Sequence, residues 1–147
     1  MSKNIYFAAS IRGGRNNAFT FKKMIDLINQ QHTVLTEQVG DIFLSTEEQC
    51  FSEDHKIYTT DINLLKQSDI VIAECTTASL GVGYELCYAE QLEKPTHIFY
   101  NIKKCELSAM IKGDPYFNLH PYETQDELFK ELDSLLKSLW QNDLLNH

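Results

Sequence analysis

Apolar residues follow two patterns along the chain, short β-branched runs and longer stretches in which they recur every three or four positions. Runs of the first kind are too short for helices and predict buried strands. These strands are expected at Lys3–Ala9, Ile70–Ala73 and Thr96–Tyr100, with weaker ones at Thr33–Leu35 and Phe117–His120. The second pattern predicts helices at Phe19–Asn29, from a cap at Ser52 to about Gln67, at Tyr84–Leu92 and at Thr124–Gln141.

The order of these elements predicts the fold. Strands and helices alternate from the N-terminus, and two irregular segments interrupt them, Thr36–Cys50 and Asn101–Asp114, the second with a helical turn at Leu107–Ile111. Alternation of this kind is typical of parallel sheets with helices on both faces. We therefore expect an α/β fold, a single domain over 1–147 built on a doubly wound parallel five-stranded sheet, flavodoxin-like or Rossmann-like.

Composition narrows the class of protein. The 147 residues carry a net charge of −8, which argues against binding to nucleic acid polymers, because that affinity comes from neutralising many phosphates. No apolar run is long enough to span a membrane, and the N-terminal apolar segment is too short for a signal peptide. The four cysteines have no CxxC spacing, and no His, Cys and carboxylate spacing predicts a metal site. A reducing cytoplasmic location follows, or a nuclear one in a eukaryote.

The segment Ser68–Leu92 carries the strongest single pattern. A buried strand leads into a turn of Thr, Ser and Gly residues over Thr76–Gly83, and a helix follows. In open α/β sheets the carboxyl ends of the strands and the helix N-termini beside them bind ligands. Glu85 is predicted in the first turn of this helix, near that edge. An acid is also common there simply because it complements the helix dipole, so both interpretations stay open.

The loop after the first strand, SIRGGR, holds Arg12 and Arg15, which are the two arginines of the chain. Glycines allow a close backbone approach, and arginine presents a planar fork that matches phosphate oxygens. The loop matches neither a Walker motif nor GxGxxG. It predicts a site for a small phosphate, with a solvated polar turn as the alternative.

Three further side chains have candidate roles. Asp61 shares a helix face with apolar residues, where a carboxylate is either hydrogen-bonded or lines a site. Tyr6 precedes the SIRGGR loop on the first strand, and Ser108 lies where it could cap a short helix. Two carboxylates beside a phosphate site suit cleavage of a glycosidic bond, in which one stabilises or attacks the anomeric carbon and the other assists the leaving group.

Four blocks, YFAASIRGGR, VLTE, SLGVGYEL and LSAMIKG, occur in this order from the first strand to about Gly113, together with Asp61. On these blocks the chain resembles the 2′-deoxynucleoside 5′-phosphate N-hydrolases, relatives of the nucleoside 2-deoxyribosyltransferases. The resemblance implies hydrolysis of a deoxynucleoside monophosphate to a free base and 2-deoxyribose 5-phosphate, with no cofactor and no metal.

The resemblance also implies a role for each matching residue. Glu85 is the carboxylate at the anomeric carbon, as nucleophile or electrostatic stabiliser, Asp61 assists proton transfer, and Tyr6 orients the carboxylates. The substrate and its phosphate are expected to contact Ala9, Ser10, Ile11, Arg12, Gly13, Gly14, Arg15, Gln38, Ser79, Gly81, Ser108, Ala109 and Met110. Ser108 is expected to reach the site of a second subunit in a homodimer.

Some features leave the substrate open. Gln38 stands where some relatives have a histidine facing the nucleobase, so the sequence does not give the base preference. The transferase branch lacks SIRGGR and uses a C-terminal aromatic residue and carboxylate that Asn146 and His147 do not resemble, which favours water as the acceptor. A ribonucleotide N-glycosidase such as one acting on cytidine monophosphate, a transferase and a nucleotide-binding sensor without catalysis remain the alternatives.

Overall fold

A computed structural model gives the arrangement of residues 1–10, 15–36 and 51–145. Five strands are present there, β1 (Asn4–Ala9), β2 (Thr33–Val34), β3 (Ile70–Glu74), β4 (Thr96–Asn101) and β5 (Asn118–Tyr122). The helices of these ranges are α1 (Arg15–Asn29), α2 (Phe51–Gln67), α3 (Leu80–Gln91), α4 (Ala109–Lys112) and α5 (Gln125–Leu145). None of the helices in this part of the chain has the length and apolar character that crossing a membrane requires.

The strands form one parallel sheet in the order β2-β1-β3-β4-β5. This is a doubly wound α/β arrangement with the flavodoxin-like strand order, so the predicted fold class is confirmed. The strand order reverses between β1 and β3, whose register pairs Ala9 with Glu74 at their carboxyl ends. Ligands of such sheets bind at the carboxyl ends beside this reversal.

Helices cover the sheet on both faces, because successive strand residues point to opposite sides. On one face Ile70 and Ile72 of β3 pack in a core cluster with residues of α1 and α5, such as Phe21 and Leu132. On the other face Val71 and Ala73 pack with residues of α2 and α3, such as Leu65 and Leu86. Below, the first is called the α1/α5 face and the second the α2/α3 face. Each buries the apolar stripe of two helices, which is the main stabilising contribution to this fold.

The structure corrects several predicted boundaries. Helix α3 begins at Leu80 and not at Tyr84, since Ser79 caps it by accepting a hydrogen bond from the backbone N–H of Val82 at 3.3 Å. Glu85 consequently lies in the second turn of the helix, where the dipole explanation for an acid no longer applies. Helix α2 begins at Phe51, so Ser52 is inside the helix and does not cap it.

The remaining differences are shifts of element ends. Helix α1 begins at Arg15, four residues before the prediction, β5 lies at Asn118–Tyr122, and α5 continues to Leu145. Strand β3 includes Glu74, one residue beyond the predicted end. The predicted helical turn near Leu107 is α4, capped by Ser108 as expected. The predicted irregular segment at 36–50 lies outside the described residues apart from Thr36.

Candidate active site

Tyr6 and Glu85 meet on the α2/α3 face of the sheet. Tyr6 lies in β1 and is almost fully buried among the residues of that core cluster. Its hydroxyl donates a hydrogen bond to Glu85 Oε1 at 3.0 Å across 79 positions of sequence. The partly buried Glu85 projects from the second turn of α3. The strand and helix thus bring together two side chains that the sequence analysis named independently.

The electrostatics of Glu85 differ from those of an ordinary surface acid. Burial raises the pKa of Glu85 to about 7, the hydrogen bond from Tyr6 opposes the rise, and the charge of nearby Asp61 adds to it. Burial also raises the pKa of Asp61, which lies partly buried on α2. The pKa of Tyr6 is raised by burial and then by the charges of Glu85 and Asp61, so its hydroxyl stays protonated and acts as a donor.

This cluster can perform acid–base and nucleophilic chemistry. A carboxylate that ionises near neutral pH is held in a defined orientation by a permanent donor, and a second carboxyl group is close enough to influence its charge. Perturbed groups of this kind cluster at functional sites. The arrangement suits stabilisation of positive charge at a carbon atom, with a proton delivered or removed by the second acid.

The turn between β3 and α3, residues 75–79, brings polar groups to the same edge of the sheet. Its Thr77 Oγ1 accepts a hydrogen bond from Asn17 Nδ2 of α1 at 3.3 Å, which joins the turn to the helix that follows the SIRGGR loop. Ser10, at the end of β1, is buried. A methyl group added at Gly81 would meet only Ser79 Oγ at 3.8 Å, an ordinary contact. The local fold therefore does not require glycine at position 81.

The predicted residues fall into four groups. Tyr6, Asp61 and Glu85 form the cluster above, and Ala9, Ser10, Ser79 and Gly81 lie at the carboxyl edge of the sheet. Ser108, Ala109 and Met110 lie on α4 or at its start and are exposed. Ile11, Arg12, Gly13, Gly14 and Gln38 lie outside the described residues, and Arg15 is described only as the first residue of α1. The phosphate-binding loop therefore stays a prediction.

A groove of about 720 Å³ lies between α3 and the segment 105–117. It is lined by Ser79 and Ser108 together with mostly apolar side chains, among them Leu80, Val82, Leu86, Leu107, Met110, Ile111 and Phe117. Leu80 is 97% exposed and Met110 is 82% exposed, and both contribute to the apolar lining of this one groove. Tyr6, Asp61 and Glu85 are not among the residues that line this groove.

Sequence reasoning missed Glu74, the last residue of β3. Glu74 is 3% exposed and accepts hydrogen bonds from Thr76 and Tyr122. It lies on the α1/α5 face, because alternate residues of a strand share a face and Ile70 and Ile72 belong to that core cluster. The signal was present, since a glutamate directly follows the predicted strand Ile70–Ala73, but an acid at a strand end is usually solvated. Among the residues that the structure describes, no three His, Cys, Asp or Glu side chains gather as a metal site.

Comparison of the sequence with known proteins shows which family the chain is similar to. The family model described as nucleoside 2-deoxyribosyltransferase matches residues 5–135. A Nematostella vectensis protein provisionally named 2′-deoxynucleoside 5′-phosphate N-hydrolase 1 is 45% identical over 117 residues, which are 77% of this chain and 78% of that protein. The 5-hydroxymethyl-dUMP N-hydrolase of Tetraodon nigroviridis is 38% identical over 140 residues, 94% of this chain and 97% of that one.

A solved structure extends the comparison to the fold. The CMP N-glycosidase of Clostridium botulinum superposes with a TM-score of 0.64 at 16% identity, over 89% of this chain and 99% of that one. The similarity at this identity is one of architecture. The match to the family model over residues 5–135 and the identity to the two relatives confirm the resemblance read from the sequence blocks: the chain belongs to the nucleoside 2-deoxyribosyltransferase family.

Proposed function

We propose that this protein hydrolyses the N-glycosidic bond of 2′-deoxynucleoside 5′-monophosphates, which yields a free base and 2-deoxyribose 5-phosphate. The observation that carries the proposal is the contact between Tyr6 Oη and Glu85 Oε1, with the charge of Asp61 beside it. The names of the relatives, N-hydrolases of deoxynucleotides, supply the substrate class. A pure binding protein would gain nothing from a buried carboxylate whose pKa is raised further by the charge of a second one.

The reaction assigns one task to each member of the cluster. As the bond between C1′ and the base nitrogen breaks, the electron pair leaves with the base, and positive charge develops at C1′. The Glu85 carboxylate stabilises that charge or attacks C1′ directly. Water then supplies the hydroxyl group at C1′, and Asp61 transfers a proton at the base or at the water. Tyr6 holds Glu85 in the orientation that both versions require.

The 5′-phosphate binds at the carboxyl edge in this proposal. The SIRGGR residues Ser10 to Gly13 and the start of α3 surround it, so that Arg12 and backbone N–H groups neutralise its charge. Support comes from Gly81, because a side chain there would fit the fold without a clash. Close approach of a ligand is a physical reason for glycine at a position where the protein itself leaves room.

The enzyme acts as a homodimer in which the groove beside α3 faces a second copy. Leu80 and Met110 expose apolar surface that a partner would remove from water, at about 25 cal/mol per Å². Ser108 lies in the same groove, so contact across a two-fold axis would place it near the partner's phosphate site. Ala109 and Met110 accompany it there.

The oligomeric state tests this interface. Light scattering is expected to give about twice the 17.0 kDa mass of one chain, whereas Met110→Glu should give monomers because it buries a charge in an apolar contact. Phe19→Glu is the matched control, since Phe19 is also an exposed apolar residue, 67% exposed, but lies on α1. A fully active monomer in the wild type would remove Ser108 from the site.

A panel of nucleotides tests the reaction itself. Each deoxy- and ribonucleoside monophosphate is incubated with the protein and with Glu85→Gln, and the free base is measured by chromatography. Release of base from deoxynucleotides by the wild type alone supports the proposal. Release that needs a second base as acceptor would identify a transferase, a preference for ribonucleotides would change the substrate class, and binding without release would identify a sensor.

We further expect residues 1–147 to act as one catalytic domain in the cytoplasm. Cys75, Cys87 and Cys105 are free thiols, consistent with a reducing compartment. The substrate is a small nucleotide, and the proposed chemistry uses side chains of the protein and water.

A further inference from the structure

We propose that Glu74 is a positioning residue for the phosphate-binding part of the site, through the turn of residues 75–79. This inference rests on the proposed function, because it assumes that Ser79 and the start of α3 contact a phosphate. Glu74 does not itself contact substrate. It lies on the α1/α5 face of the sheet, whereas Tyr6 and Glu85 meet on the α2/α3 face.

The hydrogen bonds of Glu74 converge on one oxygen atom. Glu74 Oε1 accepts bonds from the backbone N–H of Thr76 at 3.1 Å, from the Thr76 hydroxyl and from the Tyr122 hydroxyl at 3.2 Å. Bonds to an ionised acceptor are about twice as strong as neutral ones. A carboxylate at the end of β3 thus fixes both the backbone and the side chain of the second residue of the turn.

Thr76 passes this constraint to the neighbouring strand. Its Oγ1, which donates to Glu74, also accepts the backbone N–H of Asn101 at the end of β4, at 3.0 Å. One residue later, Thr77 Oγ1 accepts from Asn17 of α1. The turn is therefore tied to β3, β4 and α1 immediately before Ser79 caps the catalytic helix α3.

The position of Glu74 explains why its carboxylate is buried and why it acts on the substrate only through the turn. It pairs in register with Ala9, the last residue of β1 before the SIRGGR loop. An exposed carboxylate at this point would repel a phosphate. The cavity beside Glu74 has a volume of about 40 Å³, room for a water molecule and far too small for a nucleotide. Glu74 can influence the substrate only through the turn that it holds.

The experiment measures how Glu74 affects recognition of the phosphate. A positioning role should weaken phosphate binding, whereas a role in general stability should lower only the melting temperature. Binding of 2-deoxyribose 5-phosphate is measured by calorimetry for the wild type and for Glu74→Gln, which keeps the shape and removes the charge. We expect about tenfold weaker binding, since a displaced turn loses part of a charge-assisted contact. The ratio of kcat/KM for a deoxynucleotide to that for the matching deoxynucleoside should fall by a similar factor.

His32→Gln is the matched control. His32 is also a buried polar residue, 4% exposed, but it bonds Lys3 and Leu136 at the amino edge of the sheet. It should lower the melting temperature and leave the phosphate preference unchanged. If Glu74→Gln does not fold, Tyr122→Phe removes one donor from the same oxygen and should shift the ratio in the same direction.

Two results would overturn the proposal. One is a lowered melting temperature in Glu74→Gln and Tyr122→Phe with unchanged affinity for 2-deoxyribose 5-phosphate and an unchanged substrate ratio. The other is a wild type that does not bind 2-deoxyribose 5-phosphate at all. A wild type that binds this compound but releases no base from any nucleotide would refute the proposed function, and the affinity comparison would still decide the role of Glu74.

Discussion

Two glutamates on opposite faces of the sheet show how one fold makes different use of the same side chain. Glu74 accepts three hydrogen bonds on a single oxygen and lies beside a cavity that fits a water molecule. Glu85 accepts one hydrogen bond at Oε1, from Tyr6, and has the charge of Asp61 nearby. Burial raises the pKa of both glutamates. For Glu74 the hydrogen bonds from Thr76 and Tyr122 and the charge of Lys104 oppose the rise, whereas for Glu85 only the hydrogen bond from Tyr6 opposes it.

The difference lies in how completely the protein satisfies each carboxylate. A buried acid with several donors is a structural anchor, because its hydrogen bonds are made in every state of the enzyme. An acid with one donor and a like-charged neighbour retains acceptor capacity, and it gains most from a cation that forms beside it. On this basis we assign the proposed chemistry to the α2/α3 face and a supporting role to the α1/α5 face.

The first prediction is that Glu85→Gln reduces turnover more than any other substitution considered below. The substitution keeps the shape and removes the charge that the transition state requires, so kcat should fall by at least about 100-fold. The folded protein should be at least as stable as the wild type at pH 8, because a pKa of about 7 means that ionised Glu85 opposes folding above that pH. Turnover assays and thermal melts measure the two effects, and near-normal turnover would contradict the catalytic role proposed for Glu85.

The second prediction concerns the phosphate. Removing it from the substrate should reduce kcat/KM by more than Arg12→Ala does, because the backbone donors and Ser79 remain in the variant. A charge-assisted hydrogen bond contributes roughly 1.5–3 kcal/mol, so Arg12→Ala should lose about 10- to 150-fold in kcat/KM. The assay compares a deoxynucleotide with its nucleoside for both proteins. Equal cleavage of the nucleoside by the wild type would favour a transferase.

The third prediction uses pH to dissect the Glu85 cluster. Glu85 must be ionised to stabilise positive charge, so the acid limb of kcat/KM should lie near pH 7, with activity lost below it. Tyr6→Phe removes the bond that lowers the pKa of Glu85 and should move the limb to higher pH. Asp61→Asn removes a charge that raises it and should move the limb to lower pH. Shifts in the same direction for both variants would contradict this assignment.

The fourth prediction concerns the pH dependence of stability, as distinct from the pH dependence of catalysis, and its effect should be the weakest of the four. On the α1/α5 face, His97 and His120 lie 2.9 Å apart between Nδ1 and Nε2. Burial and the neighbouring histidine lower the pKa of His97 to about 4, and burial lowers that of His120. These histidines favour the neutral form when folded, so their contribution to stability is complete above about pH 6.5 and declines toward pH 4.

Chemical denaturation of wild type and of a His97→Gln variant between pH 4 and 8 measures this decline. The variant should lose less stability than the wild type as the pH falls, while its acid limb for catalysis stays near pH 7. Identical pH profiles of stability in both proteins would show that the histidine pair does not contribute.

Much of the fold could be predicted because it depends on local patterns. The β-branched runs at β1 and β3 and the apolar spacing in α1 and α5 follow from the periods of strand and helix, and alternating elements lead to a parallel sheet. The start of α3 was misplaced because its first turn, Leu80-Gly81-Val82-Gly83, resembles a loop in composition. The cap at Ser79 and packing of Val82 and Leu86 override the low helix propensity of glycine.

The order of strands and helices, the family blocks and the candidates Tyr6, Asp61 and Glu85 could all be read from the sequence. The hydrogen bond between Tyr6 and Glu85, which are 79 positions apart, and the placement of Glu74 and Glu85 on opposite faces of one sheet became known only from the folded arrangement. The reason is that local periodicity depends on neighbours along the chain. The pKa and role of a carboxylate depend on the donors, charges and burial that distant segments bring to it.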